Sequence, residues 1–140
     1  MGMNVIYTDI IGENKNFPQY TFMSMEEVLK QADFVSLHIP AAKDGKPVVG
    51  KELLTLMKPT AYIINTARGG LICEQALCDA LDGGKLAGAA LDVFTEEPSK
   101  NERLLHNPKV SLTPHIGGST KEAQMRIGQE IVDIITAFFA

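Results

Sequence analysis

Five short apolar runs rich in β-branched residues alternate with stretches of helical periodicity, and this rhythm constrains the fold more than any other feature. The runs are Asn4 to Thr8, Phe34 to Ile39, Tyr62 to Asn65, Leu86 to Val93 and Val110 to Thr113, each read as a strand. Most are apolar on both faces, as expected of strands in a parallel sheet covered by helices on both sides. The helices between them carry their own punctuation. Ser24 with Glu27 forms a capping box ahead of Val28, Leu29 and Ala32. Lys51 to Met57 reads as a second helix, ended before Pro59, whose ring cannot continue one. A third covers Glu74 to Leu81, with Gly83 and Gly84 available for a left-handed cap. The last runs from Thr120 towards Phe138, opened by a Ser119/Glu122 capping box and striped by Ile127, Ile131, Ile134, Ile135 and Phe138. Gly12 to Tyr20 and Ala41 to Val49 read as loops. The expected fold class is α/β, a Rossmann-like doubly wound parallel sheet.

A chain of 140 residues, 45% hydrophobic and 21% charged, suits a single soluble domain. Its net charge of −4, with lysines and arginines scattered, provides no electrostatic footprint for nucleic acid or an anionic membrane, so a small molecule is the expected partner. No apolar run approaches the roughly 18 residues of a membrane span, and residues 1 to 9 lack signal-peptide character. The expected location is cytoplasmic. Cys73 and Cys78, five apart along one expected helix, point to different faces and imply neither a disulfide nor a metal site.

A doubly wound nucleotide-binding sheet usually opens with a strand followed by G-x-G-x-x-G, and no such fingerprint occurs here. The pairs Gly69-Gly70, Gly83-Gly84 and Gly117-Gly118 have the wrong spacing. Asn4 to Asp9 instead looks like the second strand of such a fold, ending in an acidic residue. Asp9 there either accepts hydrogen bonds from an adenosine ribose, disfavouring a 2′-phosphate and hence NADP, or merely starts a turn.

Four motifs then follow in order. They are Asp33-Phe34-Val35-Ser36-Leu37-His38-Ile39-Pro40; Asn65-Thr66-Ala67-Arg68-Gly69-Gly70; Gly88 to Phe94 with Glu97-Pro98; and Pro114-His115-Ile116-Gly117-Gly118-Ser119-Thr120. In these the chain resembles the D-isomer-specific 2-hydroxyacid dehydrogenases along essentially its whole length, and the last motif resembles the phosphoglycerate branch. The resemblance implies NAD as cofactor and a 2-hydroxy acid or 2-keto acid as substrate. Within that chemistry Arg68 matches the substrate-binding arginine, whose planar guanidinium can hold carboxylate and carbonyl oxygens together. His115 matches the general acid/base and Glu97 the carboxylate that orients it, while Glu96 is a solvated bystander. Cofactor contacts implied in the same way are Asp9 at the ribose, His38 and Pro40 along the dinucleotide, and Thr66, Ala67 and Arg68 near the nicotinamide ribose. Asp92 is implied at the carboxamide, with His115 and Gly117 beside the nicotinamide. His106 matches nothing catalytic. Cys73, where relatives commonly show Asp, and the loop Ala41 to Val49 depart from the family pattern.

The family's first strand, glycine-rich loop and substrate domain are not among these motifs. Residues 1–140 are therefore expected to be a partial NAD-binding domain, with 119–140 the helix leading back to the substrate domain. Without strand 1, strands 2 and 3 are expected to separate from strands 4, 5 and 6, leaving open edges for a second copy or for the N-terminal part. Such a piece is expected to be inactive alone. The resemblance implies the phosphoglycerate/phosphohydroxypyruvate pair of serine biosynthesis. The alternatives are a hydroxypyruvate, glyoxylate or lactate enzyme, or a non-catalytic NAD-sensing scaffold similar to corepressors of this fold.

Overall fold

The structure is a computed structural model that describes residues 2–139. Its elements are β1 (Ile6–Tyr7), β2 (Thr21–Phe22), α1 (Met25–Gln31), β3 (Phe34–Leu37), α2 (Lys51–Leu54) and β4 (Tyr62–Asn65). A 3-10 turn (Gly69–Leu71), α3 (Glu74–Asp82), β5 (Gly88–Leu91), α4 (Glu102–Leu105), β6 (Val110–Leu112) and α5 (Lys121–Phe139) complete it. All five anticipated strands form, each within the run that signalled it. Ser24 caps α1 by accepting the Glu27 N–H at 3.3 Å, whereas the Glu27 carboxylate turns to Lys30 at 2.9 Å instead of closing the box. At α5 the cap is Thr120, whose Oγ1 accepts from the Ala123 N–H at 3.1 Å, one residue beyond the anticipated Ser119. Gly84 adopts φ +65 after α3, the left-handed geometry its position suggested.

β3, β4, β5 and β6 make one parallel sheet in that order, and β1 pairs with β2 in a separate parallel ribbon. The expected break in the sheet is present, but its membership differs. Counted along the anticipated runs, Phe34–Leu37 would be strand 3, yet it pairs with β4; the partner of β1 is Thr21–Phe22, a two-residue strand too short to show any periodicity. The α1 helix contacts both β1 and α2 and so bridges the two sheets.

Helical cover on both faces was also expected, and among the described residues only one face of the larger sheet receives it. Val35, Ile63, Ala89 and Leu91 pack under Leu29, Leu54, Leu77, Cys78 and Leu81 in one buried cluster. The strand order explains this: β3 to β6 advance in one direction, and successive right-handed crossovers then all fall on the same side. A second helical layer would come from strands advancing the other way, but residues 8–20, joining β1 to β2, form turns. On the other face Phe34 and Tyr62 stack at 5.5 Å and stay exposed. The apolar stripe of α5 is likewise exposed, with no residue of that helix buried. No helix among the described residues is long and apolar enough to cross a membrane.

Candidate active site

Parallel register places the functional segments together. Leu37, Asn65, Leu91 and Leu112 lie side by side across β3 to β6, so the residues that follow each strand share the carboxyl rim of the sheet. His38, Thr66 to Arg68, Asp92 and Thr113 to Gly117 all emerge there, at the edge where open α/β sheets bind ligands.

The Thr113 to Gly117 segment is fastened by Asp92. This carboxylate is 5% exposed; its Oδ1 accepts the Thr113 hydroxyl at 2.5 Å and the Ile116 N–H at 2.9 Å, and its Oδ2 accepts the Gly117 N–H at 2.9 Å. The Thr113 hydroxyl foremost, then the two backbone donors, hold the carboxyl below the usual carboxylate range despite its burial. With both oxygens engaged, the work Asp92 visibly does is to shape this loop. Gly117 serves the same contact, since a Cβ there would stand 3.1 Å from Asp92 Oδ2. Between the clamped residues, His115 adopts φ 55, a left-handed conformation uncommon outside glycine. Bonds on both sides of it impose that conformation, the situation in which local strain persists at functional sites.

The geometry aims the imidazole at Glu97. Nδ1 of His115 and Oε2 of Glu97 are 2.7 Å apart, and Glu97 Oε1 accepts the Phe94 N–H at 3.0 Å. The histidine contact first, then the Phe94 N–H, hold the Glu97 carboxyl below its usual range. A carboxylate in this position fixes which ring nitrogen faces it and leaves Nε2 for chemistry. A cavity of about 440 Å³ beside the pair is lined by Phe94, Pro98, Leu105, Leu112 and Pro114 together with the pair itself. Glu96 pairs with Lys100 on the surface, as its bystander role implied, and exposed His106 pairs with Glu102.

Arg68 stands at the same rim through the β4 turn. Buried Asn65, 1% exposed, donates from Nδ2 to the Arg68 carbonyl at 2.8 Å and accepts the Ala67 N–H at 3.1 Å, shaping the turn from inside. Next to Arg68, the Gly69 backbone abuts that of Phe94 so closely that a Cβ would lie 1.8 Å from the Phe94 carbonyl oxygen. The arginine segment is thereby seated against the residue whose N–H binds Glu97. The guanidinium itself folds back, with Nη1 donating to the Ala67 carbonyl at 2.6 Å. Glu97 and His115 are thus in direct contact, while the Arg68 side chain bonds to its own turn and only the neighbouring Gly69 backbone reaches the Glu97 loop, at Phe94.

Of the cofactor candidates, His38, Pro40 and Thr66 follow strands of this sheet, whereas Asp9 follows β1 in the separate ribbon. His38 is exposed, its Nε2 2.9 Å from the Ser36 hydroxyl, and Pro40 and Thr66 are exposed as well. Asp9 ends its strand segment with Oδ1 accepting the Ile11 N–H at 3.1 Å, so it does start a turn, and its second oxygen remains available to a ribose hydroxyl. The exposed polar groups at the β3–β6 rim suit the nicotinamide and ribose portions of a dinucleotide. Sequence reasoning assigned no role to Asn65 or Thr113. A polar residue closing an apolar strand, as Asn65 does in Tyr62–Asn65, is the signal that could have singled it out.

Comparison with known proteins identifies the family. Residues 1–117 match the family model described as D-isomer specific 2-hydroxyacid dehydrogenase, NAD binding domain. A D-3-phosphoglycerate dehydrogenase of Dictyostelium discoideum is 42% identical over 148 residues, covering 99% of this chain and 35% of that protein. A glycerate dehydrogenase of Methylorubrum extorquens is 39% identical over 143 residues, covering 100% of this chain and 44% of its own. The crystal structure of a glyoxylate reductase from Paecilomyes thermophila superposes with a TM-score of 0.89 at 36% identity, over 97% of this chain and 42% of that one. The chain thus spans between about a third and under half the length of these relatives. It belongs to the D-isomer-specific 2-hydroxyacid dehydrogenases, as the NAD-binding domain of that family.

Proposed function

We propose that the protein carrying this chain transfers hydride between NAD(H) and a D-2-hydroxy acid or its 2-keto counterpart, with D-3-phosphoglycerate and 3-phosphohydroxypyruvate, the pair that leads to serine, as substrates. The observation that carries this reading is the 2.7 Å contact between Glu97 and His115 at the carboxyl rim of a parallel sheet. Bound NADH would supply the hydride. His115, oriented through Nδ1, gives a proton from Nε2 to the substrate carbonyl oxygen in reduction and takes it back in oxidation. Glu97 holds the imidazole in place through Nδ1. Arg68 swings from the Ala67 carbonyl to grip the substrate carboxylate, an exchange of one acceptor for a charged one that strengthens its bond. Asp9 favours NAD over NADP by repelling a 2′-phosphate. A cytoplasmic location accords with thiols at Cys73 and Cys78 that are unbridged.

Relatives named glycerate dehydrogenase and glyoxylate reductase support a second substrate reading, hydroxypyruvate or glyoxylate, with the same residues in the same roles. The test is an assay of the full-length protein with NADH against phosphohydroxypyruvate, hydroxypyruvate, glyoxylate and pyruvate. Phosphohydroxypyruvate is expected to have the highest kcat/KM, and Arg68→Ala to lower it on the order of 10²-fold or more. Turnover of none of the four, with NAD still bound, would point instead to a sensing scaffold.

A further inference from the structure

Glu74 opens α3, and both of its carboxylate oxygens are engaged by the loop that carries Glu97. Oε1 accepts the Thr95 N–H at 2.8 Å, and Oε2 accepts Nδ2 of Asn101 at 3.0 Å. These two contacts bracket Glu97 on either side. The loop is tied down further at its far end, where Asn101 Oδ1 caps α4 through the Leu104 N–H at 3.3 Å. No other side chain among the described residues receives hydrogen bonds from both ends of this loop. Glu74 also lies only six residues beyond Arg68, on the same turn-and-helix segment. One carboxylate therefore locks together the segment bearing the guanidinium and the loop bearing the partner of the imidazole.

We infer that Glu74 is a positioning residue for the Glu97–His115 pair, acting by fixing the Thr95–Asn101 loop rather than by touching substrate or cofactor. This rests on the role proposed above for His115. A two-point carboxylate bracket suits the task because each oxygen takes a separate donor, and charge-assisted bonds of this kind are stronger than neutral ones. Placement matters because a displacement of about 1 Å at a reacting group can cost on the order of 10²-fold in rate.

The test uses the full-length enzyme with NADH and its best 2-keto acid. Glu74→Gln, nearly isosteric, keeps one acceptor and turns the other into a donor facing the Asn101 amide. We expect kcat to fall on the order of tenfold with KM for both substrates unchanged. In a His115→Gln background the same change is expected to cost nothing further, since the pair it positions is already disabled. The paired exchange Glu74→Gln with Asn101→Asp rebuilds both bonds with one polarity reversed and is expected to restore most of kcat, which separates misplacement from simple loss of fold. Wild-type kcat in Glu74→Gln, an equal loss in both backgrounds, or no rescue by the paired exchange would each overturn the inference. Wild-type turnover in His115→Gln would instead overturn the proposed role of the histidine, and this inference with it.

Discussion

Glu97 and His115, 18 residues apart in sequence, meet with Oε2 and Nδ1 2.7 Å apart because two different strands of one sheet deliver them to a common rim. Each partner is held by a further contact: Glu97 by the Phe94 N–H, and the histidine segment by Asp92. The pair is therefore set by backbone geometry, which is the condition for a proton donor that needs little reorganisation.

Removing the imidazole has two readouts. His115→Gln is expected to lower kcat on the order of 10²- to 10⁴-fold, the range for loss of a general acid. Because the histidine is the leading cause of the depressed Glu97 carboxyl, the same variant should let Glu97 titrate at higher pH, nearer an ordinary carboxylate. Carboxyl titration by NMR checks this, and an unmoved Glu97 would mean that the contact is not formed in solution.

Asp92→Asn is expected to cost stability as well as activity. The amide keeps one acceptor and presents an NH₂ to donors it cannot satisfy, a loss of about 1–3 kcal/mol for a buried unpaired group. In the wild type the sign with pH follows from the depressed carboxyl: the native state binds fewer protons than the unfolded one. The stabilisation is therefore full above the ordinary carboxylate range and is lost as pH falls through the lowered value. Denaturant melts across acid pH should show this slope in the wild type and less of it in Asp92→Asn.

Gly69→Ala places a methyl group 1.8 Å from the Phe94 carbonyl oxygen, and all three nearest atoms are backbone of Phe94, so relief requires moving a chain segment. We expect a loss of at least about 1–3 kcal/mol. The movement separates Arg68 from Glu97, so kcat should fall even at temperatures where the variant stays folded. A variant as stable and active as the wild type would show that the two segments are less closely seated than described.

Asp9→Ser should relax cofactor choice. A unit charge about 4 Å from a 2′-phosphate in water costs about 1 kcal/mol per phosphate charge, so the ratio of NADPH to NADH use should rise roughly fivefold or more. Equal ratios in both proteins would assign Asp9 only to the turn that it already begins with Ile11.

Strand positions, the helix at Glu74–Asp82 and the motif residues Arg68, Glu97 and His115 were legible in the sequence because each is written locally, in apolar runs, capping residues and short ordered motifs. The strand at Thr21–Phe22 was not, since two residues carry no period. Nor was the use of Asp92, whose acid could equally face a ligand or its own chain; only the approach of Thr113, Ile116 and Gly117 decides that it fastens a loop. Sequence alone determined which side chains could do chemistry and where most strands of a parallel sheet would lie. Tertiary structure decided which of those side chains touch, that Glu74 reaches the Glu97 loop, and that helices cover one face of the sheet. The division has a physical cause: propensity and patterning act over a few neighbouring residues, whereas these contacts join positions some 20 residues apart whose distance is set by strand register and crossover hand.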